Sequence, residues 1–135
     1  MPLDINCDMG ELEDAAHEAA LMEYITSANI ACGGHAGDDH IMERTTRLAL
    51  DRGVRIGAHP GYPDRANFGR IEIAMKPAEI GATVHQQIAR LIVSVSREVD
   101  QLSCERWPHL NTFRPAARSI VSVNRQIDGF SCVRG

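Results

Sequence analysis

The chain has 135 residues, of which 44% are hydrophobic and 24% are charged, and its formal net charge is −4. This composition is typical of one globular domain and excludes disordered, collagen-like and fibrous classes, while the length is too short for a complete (β/α)8 barrel, which needs roughly 200 residues or more. The acidic balance argues against non-specific nucleic-acid binding and against anionic membrane surfaces, because no basic patch is available.

The first predicted unit is a strand over residues 3–9 followed by a helix over residues 11–24. Apolar and polar residues alternate along the strand, so Asp4, Asn6 and Asp8 are expected to point to one face. Three such poor strand formers on one face are unusual for a strand that merely meets water. For Asp4 a structural role is favoured, in which its carboxylate accepts hydrogen bonds from loop amides beneath the site.

The second unit begins with a strand over residues 26–32 and continues into a glycine-rich loop over residues 33–38. Glycines at this density let the backbone take positive φ and approach a ligand closely. Asp38 or Asp39 is expected to cap the following helix, and Gly53 stands where its C-terminal cap belongs.

The third unit has a strand over residues 54–59 and a turn-rich loop over residues 60–64, followed by Phe68-Gly69-Arg70. Pro77 is suited to the first position of a long helix. Apolar residues recur in that helix at spacings of three and four between positions 80 and 99, which predicts one buried stripe.

Three strand–loop–helix units predict a parallel sheet, in which ligands bind beyond the carboxyl ends of the strands. Polar residues fall at all three of these ends, namely Asp8 and Glu11, His35 and Asp38, and His59 and Asp64. Histidines beside carboxylates suit either general acid–base catalysis or a divalent metal such as Zn²⁺, and the spacing selects neither. Asp38 is equally compatible with capping alone, and Arg70 with either carboxylate binding or a plain surface position.

No nucleotide-binding motif of the common kinds is present in the sequence. The patterns G-x-x-x-x-G-K-[ST] and G-x-G-x-x-G are both missing, and the one lysine, Lys76, follows no glycine loop. The serine nucleophile pattern G-x-S-x-G is missing as well.

The ends of the chain and its cysteines bear on location. The acidic amino terminus predicts no signal peptide, and no apolar run is long enough to span a membrane, so the expected location is the cytoplasm. The cysteines are expected to be free thiols, since no C-x-x-C pair occurs among Cys7, Cys32, Cys104 and Cys132.

Residues 1–99 carry a net charge of −6 and residues 100–135 one of +2, which predicts a boundary near residue 100.

Four blocks of sequence, in order and correctly spaced, resemble the LamB/YcsF family, which supplies the A subunit of the prokaryotic ATP-dependent 5-oxoprolinase. The resemblance covers roughly residues 3–98. It is carried by DINCDMGE at positions 4–11, ITSANIACGGHAGD at 25–38, IGAHPGYPD at 56–64 and FGR at 68–70. Residues 1–99 are therefore identified as the N-terminal part of such a protein, and residues 100–135 as a divergent tail.

The resemblance implies a parallel β/α barrel of the glycoside hydrolase/deacetylase type, incomplete in this chain. It also implies the ring opening of 5-oxo-L-proline to L-glutamate, driven by ATP (with Mg²⁺, through the complex) together with the B and C subunits as partners. The residues at the matching active-site rim are Asp8, His35, Asp38 and His59, with Asn6, Asn29 and Arg70 shaping the substrate site. Proton transfer is assigned to His35 or His59.

Two other functions stay open from the sequence. One is a half-barrel remnant without activity that associates only with a partner or with itself as a homo-oligomer, because an incomplete barrel leaves sheet edges open. The other is a stand-alone amide hydrolase or deacetylase that depends on a divalent metal at the rim.

Overall fold

A computed structural model describes residues 3–106 and 121–122, which form one parallel sheet and three helices. The strands lie in chain order, β1-β2-β3-β4, and every neighbouring pair is parallel. The elements are β1 (Asn6–Met9), α1 (Ala15–Leu21), β2 (Ser27–Ala31), α2 (Asp39–Arg52), β3 (Arg55–His59), α3 (Pro77–Arg106) and β4 (Val121–Ser122). The predicted α/β class and its three β–α units are confirmed, while closure of the sheet into a barrel stays a prediction.

One face of the sheet is apolar and carries the core. Strand pairing aligns Met9 of β1 with Ile30 of β2, and Ile30 with Ala58 of β3, so these side chains share a face. Met42 of α2 and Leu91 of α3 pack against them in one buried cluster. Burial of a large aliphatic side chain is worth about 1.5–3 kcal/mol, so burial on this face stabilises the packing of the helices on the sheet. None of the described helices is long and apolar enough to cross a membrane.

The opposite face of the sheet is polar, as the alternation in the first strand predicted. Asn6 pairs in register with Ser27, and Asp8 pairs with Asn29. The Asn29 amide donates hydrogen bonds to Asn6 Oδ1 at 2.9 Å and to Asp8 Oδ1 at 3.2 Å, while the Asn6 amide donates to Ser27 Oγ at 2.9 Å. A chain of side-chain hydrogen bonds therefore runs along this face toward the carboxyl ends of the strands.

The first predicted strand and the first predicted helix are both clearly shorter in the structure, while β2 and β3 lose only single residues at their ends. The strand β1 begins at Asn6 because its partner β2 begins at Ser27, and Leu3 is left exposed. The helix α1 begins at Ala15 instead of residue 11, because Asp14 caps it by accepting hydrogen bonds from the amides of Ala16 and His17. The residues before Asp14 form the turn that carries Glu11.

The predicted ends of α2 are confirmed. Asp38 is its N-cap and accepts a hydrogen bond from the Ile41 amide at 2.8 Å. Gly53 is its C-cap and adopts the left-handed conformation with φ of 66°, which glycine takes without steric cost.

The long helix α3 begins at Pro77, as predicted, and runs on to Arg106. Lys76 precedes it in place of a capping Ser or Thr. The Lys76 backbone amide instead donates a hydrogen bond to the Glu79 carboxylate at 2.8 Å, which is one half of a capping box. The helix crosses the predicted boundary at residue 100, and Val121–Ser122 pair with β3. The remainder of the predicted tail lies outside the described residues.

Asp4 has a structural role at the amino ends of the strands, but its partners differ from those expected. Its carboxylate accepts hydrogen bonds from the hydroxyls of Thr26 at 2.5 Å and Ser27 at 3.0 Å, and lies 2.6 Å from Arg55. Side chains of neighbouring strands, and not loop amides, therefore satisfy it. The hydroxyl hydrogen bonds, ahead of the Arg55 charge, lower the pKa of Asp4 below its usual value.

Candidate active site

Three side chains, at or just beyond the ends of three different strands, meet at the carboxyl edge of the sheet. Glu11 follows β1, His35 follows β2 and His59 ends β3. Glu11 Oε1 lies 3.2 Å from Nε2 of His35 and 3.2 Å from Nε2 of His59. The two imidazole rings contact each other edge to face, with centroids 4.5 Å apart. We call Glu11, His35 and His59 the rim cluster.

A buried carboxylate, that of Glu18, stabilises the turn that contains Glu11. Glu18 of α1 is 3% exposed, and its Oε1 accepts a hydrogen bond from the Gly10 amide at 2.7 Å. Its Oε2 accepts from the Thr45 hydroxyl at 3.0 Å and from the Arg44 guanidinium at 3.2 Å. Arg44 also donates to two backbone carbonyls of the same turn. Glu18 therefore ties β1, α1 and α2 together directly beside Glu11.

His35 is locked in place by packing. It is 4% exposed, and Phe68 stands edge-on to its ring at 5.3 Å between centroids. Two glycines lie against it: a Cβ on Gly61 would be 2.8 Å from His35 Cγ, and one on Gly69 would be 2.8 Å from His35 Cβ. His35 Nδ1 is buried and has no hydrogen-bond partner among the described residues. The ring consequently makes its polar contact through Nε2, toward Glu11.

The loop after β3 is fixed by a side chain of α3. Gln87 is buried; its Oε1 accepts from the Gly61 amide at 3.1 Å, and its Nε2 donates to the Gly61 carbonyl at 2.8 Å. Gly34 lies in the same contact, since a Cβ there would be 2.5 Å from both the Gly61 carbonyl and Gln87 Oε1. The loops after β2 and β3 are thus packed on each other through two glycines, which leaves His35 little freedom.

His59 is the most accessible member of the rim cluster. Its side chain is 32% exposed, against 4% for His35, and its Nε2 lies 3.7 Å from Asp8 Oδ2. Asp8 in turn accepts a hydrogen bond from Asn29, at the end of the polar chain on the sheet face. A molecule approaching from the polar face would therefore meet His59 and Asp8 first.

The structure brings together three of the four residues predicted to be catalytic, namely Asp8, His35 and His59. The fourth, Asp38, is exposed and caps α2, outside the rim cluster. Arg70 is exposed, with its guanidinium 5.3 Å from the Phe68 ring centroid. The catalytic and substrate-binding roles given to all of these residues, and to Asn6 and Asn29, stay predictions.

The sequence prediction left Glu11 out of the catalytic set, although its position after the first strand was noted. Position was the available signal, because Glu11 directly follows the glycine that ends β1 at the rim. Glu18 and Gln87 carried no such signal, since both lie in helices among other polar residues. Asp64, also noted at a strand end, stabilises its own loop by accepting hydrogen bonds from Asn67.

Two cysteines lie near the site as free thiols. Cys32 is fully buried, and this burial raises its pKa to about 11. Cys7 is half-buried, and burial, followed by the charges of Asp8 and Glu11, raises the pKa of its thiol. Because only the thiolate is a good nucleophile, neither cysteine suits nucleophilic catalysis at neutral pH.

Comparisons with known proteins point to one family. The sequence model of the LamB/YcsF family matches residues 3–104, which include every residue of the rim cluster. A Geobacillus kaustophilus protein named as the A subunit of 5-oxoprolinase is 47% identical over 98 residues, 71% of this chain and 38% of the relative. A Pseudomonas putida protein, named as the second 5-oxoprolinase A subunit of that organism, is 53% identical over 90 residues, 64% of this chain and 35% of the relative.

A solved structure agrees with the sequence match. The crystal structure of a lactam utilization protein from Thermus thermophilus superimposes with a TM-score of 0.68 and 40% sequence identity. The superposition covers 73% of this chain and 41% of that one. The matched part of the chain thus spans about two fifths of the length of these proteins.

Proposed function

This chain belongs to the LamB/YcsF family, and from that membership we propose that it acts as the A subunit of a 5-oxoprolinase. The reaction is the hydrolytic ring opening of 5-oxo-L-proline to L-glutamate, a hydrolysis of a cyclic amide. One observation carries the proposal: the rim cluster is assembled, with both histidines on one carboxylate oxygen, inside the region shared with relatives of that name.

The chemistry of ring opening assigns a role to His59. Hydrolysis adds one water across the amide C–N bond, so a base must take a proton from the water and an acid must supply one to the departing nitrogen. An imidazole exchanges protons near neutral pH, and His59 is the exposed one of the two. We assign both proton transfers to His59, with Asp8 orienting its ring from 3.7 Å.

Glu11 and His35 support this group in the proposal. An ionised carboxylate only accepts hydrogen bonds, so both imidazoles donate to Glu11 Oε1 through Nε2–H. His35 is too buried to meet a substrate, and its contribution is to hold Glu11 in position. Arg70 lies on the exposed side of Phe68, where its guanidinium is suited to bind the carboxylate of 5-oxoproline.

The proposal includes ATP, with Mg²⁺, and the B and C subunits as partners. Amide bonds resist hydrolysis, so ATP hydrolysis is proposed to drive the reaction. The sequence contains neither G-x-x-x-x-G-K-[ST] nor G-x-G-x-x-G, and we therefore assign ATP binding to the complex. Asn6 and Asn29 are proposed to shape the substrate site by holding Asp8 through their shared hydrogen bonds.

The experiment is reconstitution of the chain with the B and C subunits, MgATP and 5-oxoproline, with glutamate and ADP measured together. His59→Ala is expected to lower kcat by at least about 100-fold, as loss of a general acid–base does. His85→Ala is the matched control, because His85 is exposed on α3 and has no part in the rim cluster. Glutamate formation that survives His59→Ala in a folded variant would contradict the assignment.

The same assay separates the two other functions. In the described part of the chain β1 has β2 on one side and no strand on the other, and an open edge favours pairing with another chain. Association with the B or C partner or with a second copy, without glutamate formation by a folded wild-type chain, would favour the remnant. Turnover that persists without ATP and partner subunits would favour a stand-alone hydrolase.

A further inference from the structure

We propose that the rim cluster is a binding site for one divalent transition-metal ion of the Zn²⁺ class. The inference deepens the proposed function and rests on it, because it assigns a ligand to the same site. With the ion bound, His59 Nε2 would be a ligand, and the proton transfers would pass to the Asp8 carboxylate 3.7 Å away. Glu11, His35 and His59 each offer one ligand atom, and these three atoms all lie within 4.8 Å of one another. They stand at the carboxyl ends of three separate strands, so the fold, and not local sequence spacing, brings them together.

The separations fit a shared ion. Zn²⁺ binds histidine nitrogen and carboxylate oxygen at about 2.0–2.2 Å, which places neighbouring ligands roughly 3.0–3.5 Å apart in tetrahedral or octahedral geometry. The two contacts of Glu11 Oε1 with the imidazoles are both 3.2 Å. An ion at this point would occupy the place of the two N–H protons that now lie between the rings and the carboxylate.

The donor set selects the class of ion. Two imidazoles and one carboxylate are the donors that Zn²⁺ and neighbouring first-row ions prefer, whereas Mg²⁺ and Ca²⁺ prefer oxygen ligands. With both histidines neutral the cluster carries a charge of −1, and Asp8, 3.7 Å from His59, adds a second negative charge on the open side. The site therefore attracts a dication.

The site is built before any ion arrives. His35 is held between Phe68 and the glycines at positions 61 and 69, and Glu11 sits on the turn that Glu18 fixes. His59 and Glu11 are 32% and 21% exposed, so an ion has a route from solvent. Ligands locked by packing and by supporting hydrogen bonds are what a metal site needs. A bound ion there would polarise the amide carbonyl of a substrate as a Lewis acid.

The test uses the full chain without a histidine tag, stripped with a chelator and dialysed into metal-free buffer. Calorimetric titration with Zn²⁺ is expected to give one site per chain, and Co²⁺ is expected to give the intense d–d spectrum of a low-coordinate ion. Glu11→Gln and His59→Ala are each expected to weaken binding by more than about 10-fold. A loss of about 10-fold is the smallest usually found when a residue that only supports a ligand is changed, and loss of a ligand should cost more. His85→Ala, on the exposed face of α3, should bind as the wild type does.

Three results would overturn the proposal: less than one equivalent bound, unchanged affinity in folded Glu11→Gln or His59→Ala, or a thiolate charge-transfer band showing that a cysteine holds the ion. Circular dichroism establishes that each variant is folded, and both substituted residues are partly exposed. The titration needs no substrate, ATP or partner. Metal binding without glutamate formation would therefore refute the proposed function alone, and glutamate formation by a chain that binds no metal in the titration would refute this inference alone.

Discussion

Glu18 offers the sharpest test of how the site is supported, because it is a buried charge held by identified partners. Replacing it with alanine leaves the Gly10 amide and the Thr45 hydroxyl without acceptors, and Thr45 is fully buried. Each buried polar group left unpaired costs about 1–3 kcal/mol. Arg44 is 28% exposed and regains water, so its loss adds little. Glu18→Ala is therefore expected to lower the free energy of unfolding by about 2–6 kcal/mol.

Glu18→Gln separates charge from shape at the same position. The amide keeps an oxygen for the Gly10 amide but turns an NH2 group toward the Arg44 guanidinium, so a loss of about 1–2 kcal/mol is expected. Glu13→Ala is the control, since Glu13 is exposed in the same turn and should change stability by less than about 0.5 kcal/mol. Urea unfolding followed by far-ultraviolet circular dichroism measures all three variants.

A shift below about 0.5 kcal/mol for Glu18→Ala would refute the reasoning. It would mean that water or a backbone adjustment replaces the carboxylate at no cost, and that Glu11 is held by something else. A large loss in Glu18→Gln, equal to that in the alanine variant, would show that the charge and not the hydrogen-bond geometry is what matters.

Other substitutions test the packing and the titrations. Gly61→Ala should displace His35 and destabilise the chain by about 1–3 kcal/mol in urea unfolding, whereas Gly81→Ala, with nothing within 4 Å in α3, should stabilise it by about 0.5–1 kcal/mol; equal effects would argue against the packing. Asp4→Asn should lower stability above pH 3.8, and its difference from wild type should vanish as the pH falls through the lowered pKa of Asp4; a pH-independent difference would contradict this. Cys32, with its pKa raised to about 11, is about one part in a thousand thiolate at pH 8. Peptide mapping after treatment of the native protein with iodoacetamide should therefore find Cys32 unlabelled. Labelling as fast as that of a free thiol would disprove its burial.

The fold could be predicted largely because local signals mark both ends of α2 and the start of α3. Asp38 and Gly53 bracket α2, and Pro77 opens α3, and all three act through local backbone chemistry that needs no tertiary information. The start of α1 was missed although Asp14 marks it by the same kind of local capping, because the surrounding run rich in Ala and Glu favours helix throughout. The two-residue strand β4 has no local signature, because pairing with β3 alone defines it.

The site was predictable as a position but not as a set of contacts. His35 and His59 were found because parallel strands bring their carboxyl ends to one edge. Which carboxylate contacts them depends on turn geometry. Asp38 caps α2, and Glu11 contacts both imidazole rings. The residues that hold the loops, Glu18 and Gln87, act through buried tertiary hydrogen bonds, and a single sequence carries no trace of these.

Because successive side chains of a strand point to opposite faces of the sheet, the site depends on the register in which β1 pairs with β2. Met9 and Ile30 face the core while Asp8 and Asn29 face the opposite way, so sliding β1 by one residue would exchange the two sets. That slip would bury a carboxylate among methionine and isoleucine side chains and would also carry Glu11 about 3 Å along the strand direction, away from both imidazoles. The burial energy that disfavours a shifted register of β1 thus also places Glu11 beside the two imidazoles. A correctly formed rim cluster therefore requires β1 to pair in its native register.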